Sequence, residues 1–388
     1  MQARNVQVDT PALDRPPLPR ELFPITRRWA YCNHAAVGPL PQPTRDAVAA
    51  VLDAQMNDGC AGILDVEAHL EQIRAQTAAA INASADEIAF LRATSDGALL
   101  AANGIRWRDG DEIILTDNEF GANAHPWLNL RDRGVRVRLV RAPQQRLTVD
   151  VLAGMRTRRT RLVAASEVTS VDGYRHDVAA LGRYCREHDI LFAVDAMQSF
   201  GGLPLDVRAG YMDFCYCGVA KWLLAPQGLS FVFVRKELIE GLRPAFASWR
   251  SVREPMSFFD YGQEFAVGAR RFEGATVNYP ALIGFSQSLS LLERAGLRNI
   301  ERHVLALNDR AIAGLQQRGW RIVSDLHPAR RSGIVLAALG KHDEQKLNAE
   351  ALRRRVGITV RDTGVRIAPH GYNDASDIDA VLDLLGSA

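Results

Sequence analysis

Between residues 87 and 234 the chain repeats one pattern, a short apolar run rich in β-formers followed by a longer stretch with helical spacing. The runs at 88–91, 112–115, 135–140, 161–164, 190–194, 213–217 and 229–234 read as strands, and 44–56, 64–81, 96–104 and 178–188 read as helices. Parallel strands cannot be joined by a tight turn, so intervening helices are the crossovers that such a sheet requires. The spacing therefore predicts an α/β domain with a mainly parallel central sheet covered by helices. Ligands of such sheets bind beyond the carboxyl ends of the strands, which directs attention to the residue after each run.

Beyond about residue 280 the texture changes. An amphipathic helix at 281–294 precedes further helices and short strands ending in a helix at 377–385, the pattern of a smaller α+β domain. This divides the chain into a proline-rich N-terminal arm at 1–30 laid over a surface, a large domain at 31–275 and a small C-terminal domain at 276–388. The 388 residues, 47% of them apolar, can fill a core in each domain.

Charge and cysteine usage exclude several functions. The 47 cationic side chains are nearly balanced by 45 anionic ones, so the surplus that marks a nucleic-acid or membrane-surface protein is missing. No apolar run approaches the ~18 residues of a membrane span, and the N-terminus lacks the apolar core of a signal peptide. The cysteines Cys32, Cys60, Cys185, Cys215 and Cys217 are odd in number and form no C-x-x-C pair, which fits a reducing compartment and leads us to expect a cytoplasmic protein. Cys215 and Cys217, two apart on a predicted strand, read as small core residues. The histidines show no H-E-x-x-H or comparable spacing, so no metal site is expected. The basic run at 156–161 lacks interleaved aromatics and reads as a solvated turn.

The cations divide unevenly into 43 arginines and four lysines, Lys221, Lys236, Lys341 and Lys346. Only Lys221 is flanked by apolar sequence, after the 213–217 run. Either it snorkels to solvent, or it is a desolvated amine, a nucleophile toward an aldehyde cofactor. Asp195 follows the 190–194 run, where it is a turn cap or the partner of a protonated pyridine nitrogen; at ~3 Å and an effective dielectric of ~20 the gross attraction is roughly 5 kcal/mol. Gln198, three residues on, is a surface side chain or a donor to the same ring. Thr94, Ser95 and Asp96 follow a strand and open a helix, as an ordinary N-cap or as a phosphate site on free N–H groups.

Taken in chain order, these features and their neighbours resemble one family. Tyr31-Cys32-Asn33-His34-Ala35-Ala36, Thr94-Ser95-Asp96-Gly97, Glu119-Phe120 with Pro126-Trp127, Val194-Asp195-Ala196-Met197-Gln198, Lys221-Trp222-Leu223, Arg271-Phe272-Glu273-Gly274-Ala275-Thr276 and Val365-Arg366-Ile367-Ala368-Pro369-His370 span nearly the whole chain. The sequence is similar to the class V aminotransferase family of pyridoxal-phosphate enzymes, fold type I, in its isopenicillin N epimerase and cysteine desulfurase-like branch. The resemblance implies that Lys221 forms the Schiff base with pyridoxal 5'-phosphate, that Asp195 pairs with the ring nitrogen and that Gln198 contacts the ring oxygen. It puts Thr94, Ser95 and Asp96 on the phosphate side and makes Phe120 either the aromatic stacked on the ring or a core residue. Thr276 matches a position that reaches the phosphate from the neighbouring subunit, which implies a homodimer with shared active sites, unless it is a buried structural threonine. Arg366 is implied as the receptor of the substrate α-carboxylate, a task suited to a planar, always charged fork, with Asn33 and His34 on the substrate side. His125 and His370 lie near matched motifs as acid–base candidates or structural hydrogen bonders.

Departures from the family pattern limit the activity. No cysteine follows Cys217, so the nucleophilic thiol of the desulfurases is missing from the stretch at 359–365. Ala220 stands where those enzymes often carry histidine before the lysine, Gly218 where they often carry serine, and Phe120 or Gly121 where they stack a histidine. The expected activity is Cα deprotonation of an amino acid or amino-acid-like group by Lys221, with transamination favoured because it needs one base. A cysteine or selenocysteine β-lyase that uses no enzyme thiol and an epimerase are the alternatives, followed by a non-catalytic regulator on the same fold.

Overall fold

The computed structural model describes residues 13–142 and 144–386; the first part of the expected N-terminal arm, residues 1–12, lies outside the described residues. The central sheet has seven strands: β1 (Ile88–Leu91), β2 (Glu112–Thr116), β3 (Arg136–Val140), β4 (Thr160–Ser166), β5 (Leu191–Asp195), β6 (Phe214–Gly218) and β7 (Ser230–Val234). Their spatial order is β1-β7-β6-β5-β4-β2-β3. From β3 to β6 every pairing is parallel, while β7 runs against both β6 and β1. The reversal has a local cause, since the link from Gly218 to Ser230 contains no helix and cannot carry the chain back across the sheet.

Alternation along the strands sorts the side chains between two cores. Ile114, Val163, Phe192, Cys215, Cys217 and Phe231 enter one, and Ile113, Leu162, Ala193, Phe214 and Tyr216 the other. Cys215 and Cys217 thus share a buried face, as their spacing predicts. Helix α1 (Gln42–Asp58) packs on α4 (Tyr279–Ala295), while α2 (Thr94–Gly104) and α3 (Gly121–Leu128) pack together over the other face. The pattern at 64–81 is not one helix but two, Cys60–Ala68 and Leu70–Ala80. His69 between them has φ −91° and ψ −7°, in the bridge region, and the second helix buries Leu70, Ile73 and Arg74.

The expected small-domain helix α4 sends Leu282, Phe285 and Leu289 into the main core. A separate core forms from Leu307, Leu315, Val365, Ile367, Ile378 and Val381. It joins α5 (Leu297–Gln317) and α6 (Ala375–Leu385) to an antiparallel sheet of β8 (Val335–Ala337), β9 (Thr359–Arg361) and β10 (Gly364–Ile367), in the order β9-β10-β8. The described part of the arm lies across this region, with Phe23 stacked on Tyr372 at 4.0 Å between ring centroids. No helix among the described residues is long and apolar enough to cross a membrane.

One buried ion pair ties the sheet edge to the segment carrying Thr276. Glu273 accepts from Arg74 Nη1 at 2.5 Å and from the Phe90 N–H at 2.9 Å, and both side chains are nearly fully buried. Removing one member leaves a buried charge without its counter-ion, so Glu273→Ala should cost about 3–5 kcal/mol. Denaturant titration of the apoprotein checks this; a loss too small to move the midpoint would show that Glu71 alone neutralises Arg74.

Candidate active site

β6 ends at Gly218, and the chain then bends over the sheet edge to Lys221. The Gly38 N–H donates to Ala220 O at 2.9 Å, His370 Nε2 bonds Trp222 O at 2.9 Å, and Trp222 Nε1 donates to Gln198 Oε1 at 3.0 Å. A Cβ on Gly38 would come within 2.1 Å of Lys221 O, so no other residue allows this approach. The Lys221 amine stands 5.6 Å from the centroid of the Phe120 ring. Burial lowers its pKa from 10.5 to about 8; the Asp195 charge opposes this and Arg366 reinforces it. At pH 7 roughly 10% of such an amine is neutral, against ~0.03% for an ordinary lysine. Lys236, by contrast, is ion-paired to Asp86 at 2.8 Å on the surface.

Asp195 is the last residue of β5 and only 5% exposed. Its carboxylate accepts the Met197 N–H at 2.8 Å. Burial pushes the pKa up to about 7, the Met197 N–H lowers it, Glu119 raises it and Lys221 lowers it. A buried acid so poorly compensated fits a cationic partner such as a protonated ring nitrogen.

Arg366 on β10 donates to Ser170 O at 2.6 Å and to Thr359 Oγ1 at 3.4 Å, while its Nε has no partner. Burial, with Arg361 adding to it, lowers its pKa to about 10, and among the described residues no acid pairs with it. A half-buried guanidinium with an orphan donor, near a lysine, suits a carboxylate.

At the start of α2 no side chain caps the free N–H groups. Thr94 Oγ1 lies 3.5 Å from Met197 Sδ, and Ser95 is half-buried. The Asp96 carboxylate is turned back onto Arg92, with Nε at 3.1 Å. Gly97 lets this helix descend onto β6, since a Cβ there would lie 2.4 Å from the Cβ of Tyr216. A Cβ on Gly218 would lie 2.8 Å from Thr94 Oγ1, a crowding that favours glycine where the resembling enzymes often have serine.

Other expected residues stand further back. Gln198 is buried, with Nε2 on Ala35 O at 3.0 Å and Oε1 held by Trp222, which leaves one amide hydrogen for a ligand. Asn33 bridges Ile358 O and Thr359 Oγ1 beside Arg366. His34 is fully buried, its Nδ1 on Ala368 O at 2.9 Å, its Nε2 unpartnered and its ring 5.0 Å from that of His370. His125 is exposed. Phe120 is 59% exposed, an aromatic face open toward Lys221. Thr276 is exposed and lines a separate cavity of about 340 Å³ with Arg92, Asp96, Gly228 and Asn278.

The sequence shows Glu119 only as part of a motif, with no role, and does not single out Ser166, Asn123 and Tyr216, the buried polar groups that join it near Asp195. Glu119 accepts from the Ser166 N–H at 2.8 Å and from Asn123 Nδ2 at 2.9 Å, and Asn123 Oδ1 accepts from the Tyr216 hydroxyl. A usable signal was present, because Glu119 follows a strand and Asn123 lies four residues on, one helical turn away.

The residues present fit pyridoxal phosphate. They offer a partly neutral amine, a buried acid short of positive charge, an uncapped helix start and an unpaired cation for a carboxylate. Comparison with known proteins agrees. The chain is 29% identical to a probable cysteine desulfurase of Methanothermobacter thermautotrophicus, over 94% of this chain and 96% of that one. It is 33% identical to a cysteine desulfurase of Klebsiella pneumoniae over 72% of this chain and 69% of that one. Among solved structures, the cystine C-S lyase C-DES superposes with a TM-score of 0.86 at 23% identity, covering 94% of this chain and 100% of that one. A C-DES variant with glycine covalently linked to its pyridoxal-phosphate cofactor superposes equally well, at 24% identity over 94% of this chain and 98% of that one. The model of the family described as "Aminotransferase class-V" matches residues 31–379, and with that match the chain belongs to the class V aminotransferases, pyridoxal-phosphate enzymes of fold type I.

Proposed function

We propose that this enzyme is a β-lyase that cleaves the C–S bond of a cysteine-like amino acid without a thiol of its own. The observation that carries the reading is the β9–β10 hairpin. Arg361 pairs with Gly364 across a turn of Asp362 and Thr363, so this hairpin carries no loop and no nucleophilic cysteine. Of the cysteines present, Cys217 is buried, and burial together with the Asp195 charge holds its thiol well above the ordinary range. The relatives named above act on carbon–sulfur bonds, which supports elimination over transamination, the outcome favoured from the sequence alone.

Arg366 takes the substrate carboxylate and so turns the Cα–H bond toward Lys221. Bound pyridoxal phosphate supplies the electron sink for the pair left at Cα. Lys221 accepts the Cα proton, the Cβ–S bond breaks, and sulfur leaves with its electron pair as a thiolate or persulfide. Water then completes the conversion of the carbon fragment to pyruvate and ammonia. Asp195 holds the ring nitrogen, the start of α2 with Thr94 and Ser95 holds the phosphate, Phe120 covers the ring, and the free hydrogen of Gln198 meets the ring oxygen. Asn33 braces Thr359 beside Arg366, and His34 supports this wall from behind.

Two copies complete each other's sites, with Thr276 donated across the interface. Supporting this, the segment leading into Thr276 exposes Met256, Phe258, Phe259, Tyr261 and Val267, with Phe259 86% and Tyr261 89% exposed. A cytoplasmic location suits the free cysteines.

The test is product analysis. With L-cystine or L-cysteine the enzyme should release pyruvate, ammonia and sulfide or a persulfide in step. Alkylation of exposed Cys60 and the Cys217→Ala change should leave turnover largely intact. A new amino acid formed from an added keto acid, with no pyruvate, would replace this reading by transamination.

A further inference from the structure

The carboxyl ends of adjacent strands hold a second acid, half-buried, that no step above uses. Glu119 follows β2 and accepts from the Ser166 N–H at 2.8 Å, the Ser166 hydroxyl, Asn123 Nδ2 at 2.9 Å and Thr116 Oγ1 at 3.3 Å. The orientation of the Asn123 amide is fixed independently, since its oxygen receives Trp127 Nε1 at 3.3 Å and the Tyr216 hydroxyl. Its nitrogen must therefore donate to Glu119. Burial raises the pKa of Glu119 and these donors oppose it, and a cage made of donors is built for a carboxylate.

The strand register connects this cage to Asp195. Ser166 is the partner of Asp195 across β4 and β5, and Tyr216 is its partner across β5 and β6. Both flanking residues are thus tied to Glu119, one directly and the other through Asn123. Tyr216 shares the face of Asp195, and Cys215 and Cys217 on the other face also feel its charge; burial keeps each of the three neutral. Glu167, next to Ser166, is turned to Ser199 and Arg175. Lys221 and the Met197 N–H favour the Asp195 charge, and Glu119 is the group that opposes it.

We propose that Glu119 is a positioning residue for the cofactor's ring nitrogen: through Ser166 and Asn123 it fixes the surroundings of Asp195, and its own charge behind Asp195 keeps that nitrogen protonated. Two carboxylates in line hold the ring proton more firmly than one, as a neighbouring like charge raises an acid's proton affinity. The role rests on the placement of Asp195 at the ring nitrogen.

The test measures binding to the apoprotein, comparing pyridoxal phosphate with its deaza analogue, in which carbon replaces the ring nitrogen. Wild-type protein should prefer the natural cofactor. Glu119→Gln should cut that preference on the order of tenfold, the equivalent of one pKa unit, by weakening pyridoxal phosphate alone, and Glu119→Asp should restore part of it. Ser166→Ala, which removes one donor to Glu119, should move the preference the same way by less, and it stands in for the glutamine variant should that not fold. Equal weakening of both ligands, or of neither, would mean that Glu119 is only a buttress and would overturn the proposal. If wild-type protein shows no preference, the Asp195 placement itself fails, and the role of Glu119 with it.

Discussion

Lys221→Ala is expected to abolish turnover, with a fall on the order of 10⁴-fold or more, because in the proposed mechanism one side chain supplies both the covalent anchor and the base. The variant should still bind pyridoxal phosphate without a covalent link, and borohydride should fix none of it to the protein. The wild-type amine supplies a second reading of the same feature. Only its neutral form attacks an aldehyde, so the rate at which apoprotein captures the cofactor should rise with pH up to about 8 and level off above it. A rate still climbing at pH 10 would mean that burial does not tune this lysine.

Asp195→Asn should separate function from stability. In the loaded enzyme it removes the proposed partner of the ring nitrogen, and turnover should fall about 10²–10³-fold. In the apoprotein the same change should stabilise. The folded-state pKa of Asp195 is raised from 3.8 to about 7, so the unfolded chain gives up its proton first as pH rises. Native stability is then lost progressively between pH ~4 and ~7, and above that window the penalty reaches about 4 kcal/mol. Asparagine carries no such penalty. Apo wild type and apo Asp195→Asn should therefore match in melting temperature near pH 4 and diverge by pH 8, with the variant the more stable. Identical curves at pH 8 would show that Asp195 already has a cationic partner in the empty protein.

The strands were legible because most are short apolar runs buried on both faces, the edge strand β3 excepted, and observed ends differ from the sequence reading by a residue or two. The direction of β7 was not, since nothing in the residues at 230–234 distinguishes a hairpin return from a crossover; the short helix-free link before it does. At the site, Lys221 stood out by its apolar setting, and Arg366 by its place in a motif. What marks Arg366 physically is the lack of an acid beside it, a property that exists only once the chain is folded. Gln198 illustrates the same limit, because its amide is held by Ala35, 163 residues away. Glu119 is legible as part of a motif, but its meeting with Ser166 and Tyr216 is not, because it depends on the register of β4, β5 and β6.

The hydrogen bond from His370 to the carbonyl of Trp222 ties the stretch that carries Arg366 to the loop that carries Lys221. Arg366 and His370 lie on one short stretch of the small domain, and Trp222 is the residue after Lys221. On the proposed placement of Arg366, the wall that meets the substrate's acid end and the loop that carries the base are therefore braced against each other by one buried hydrogen bond.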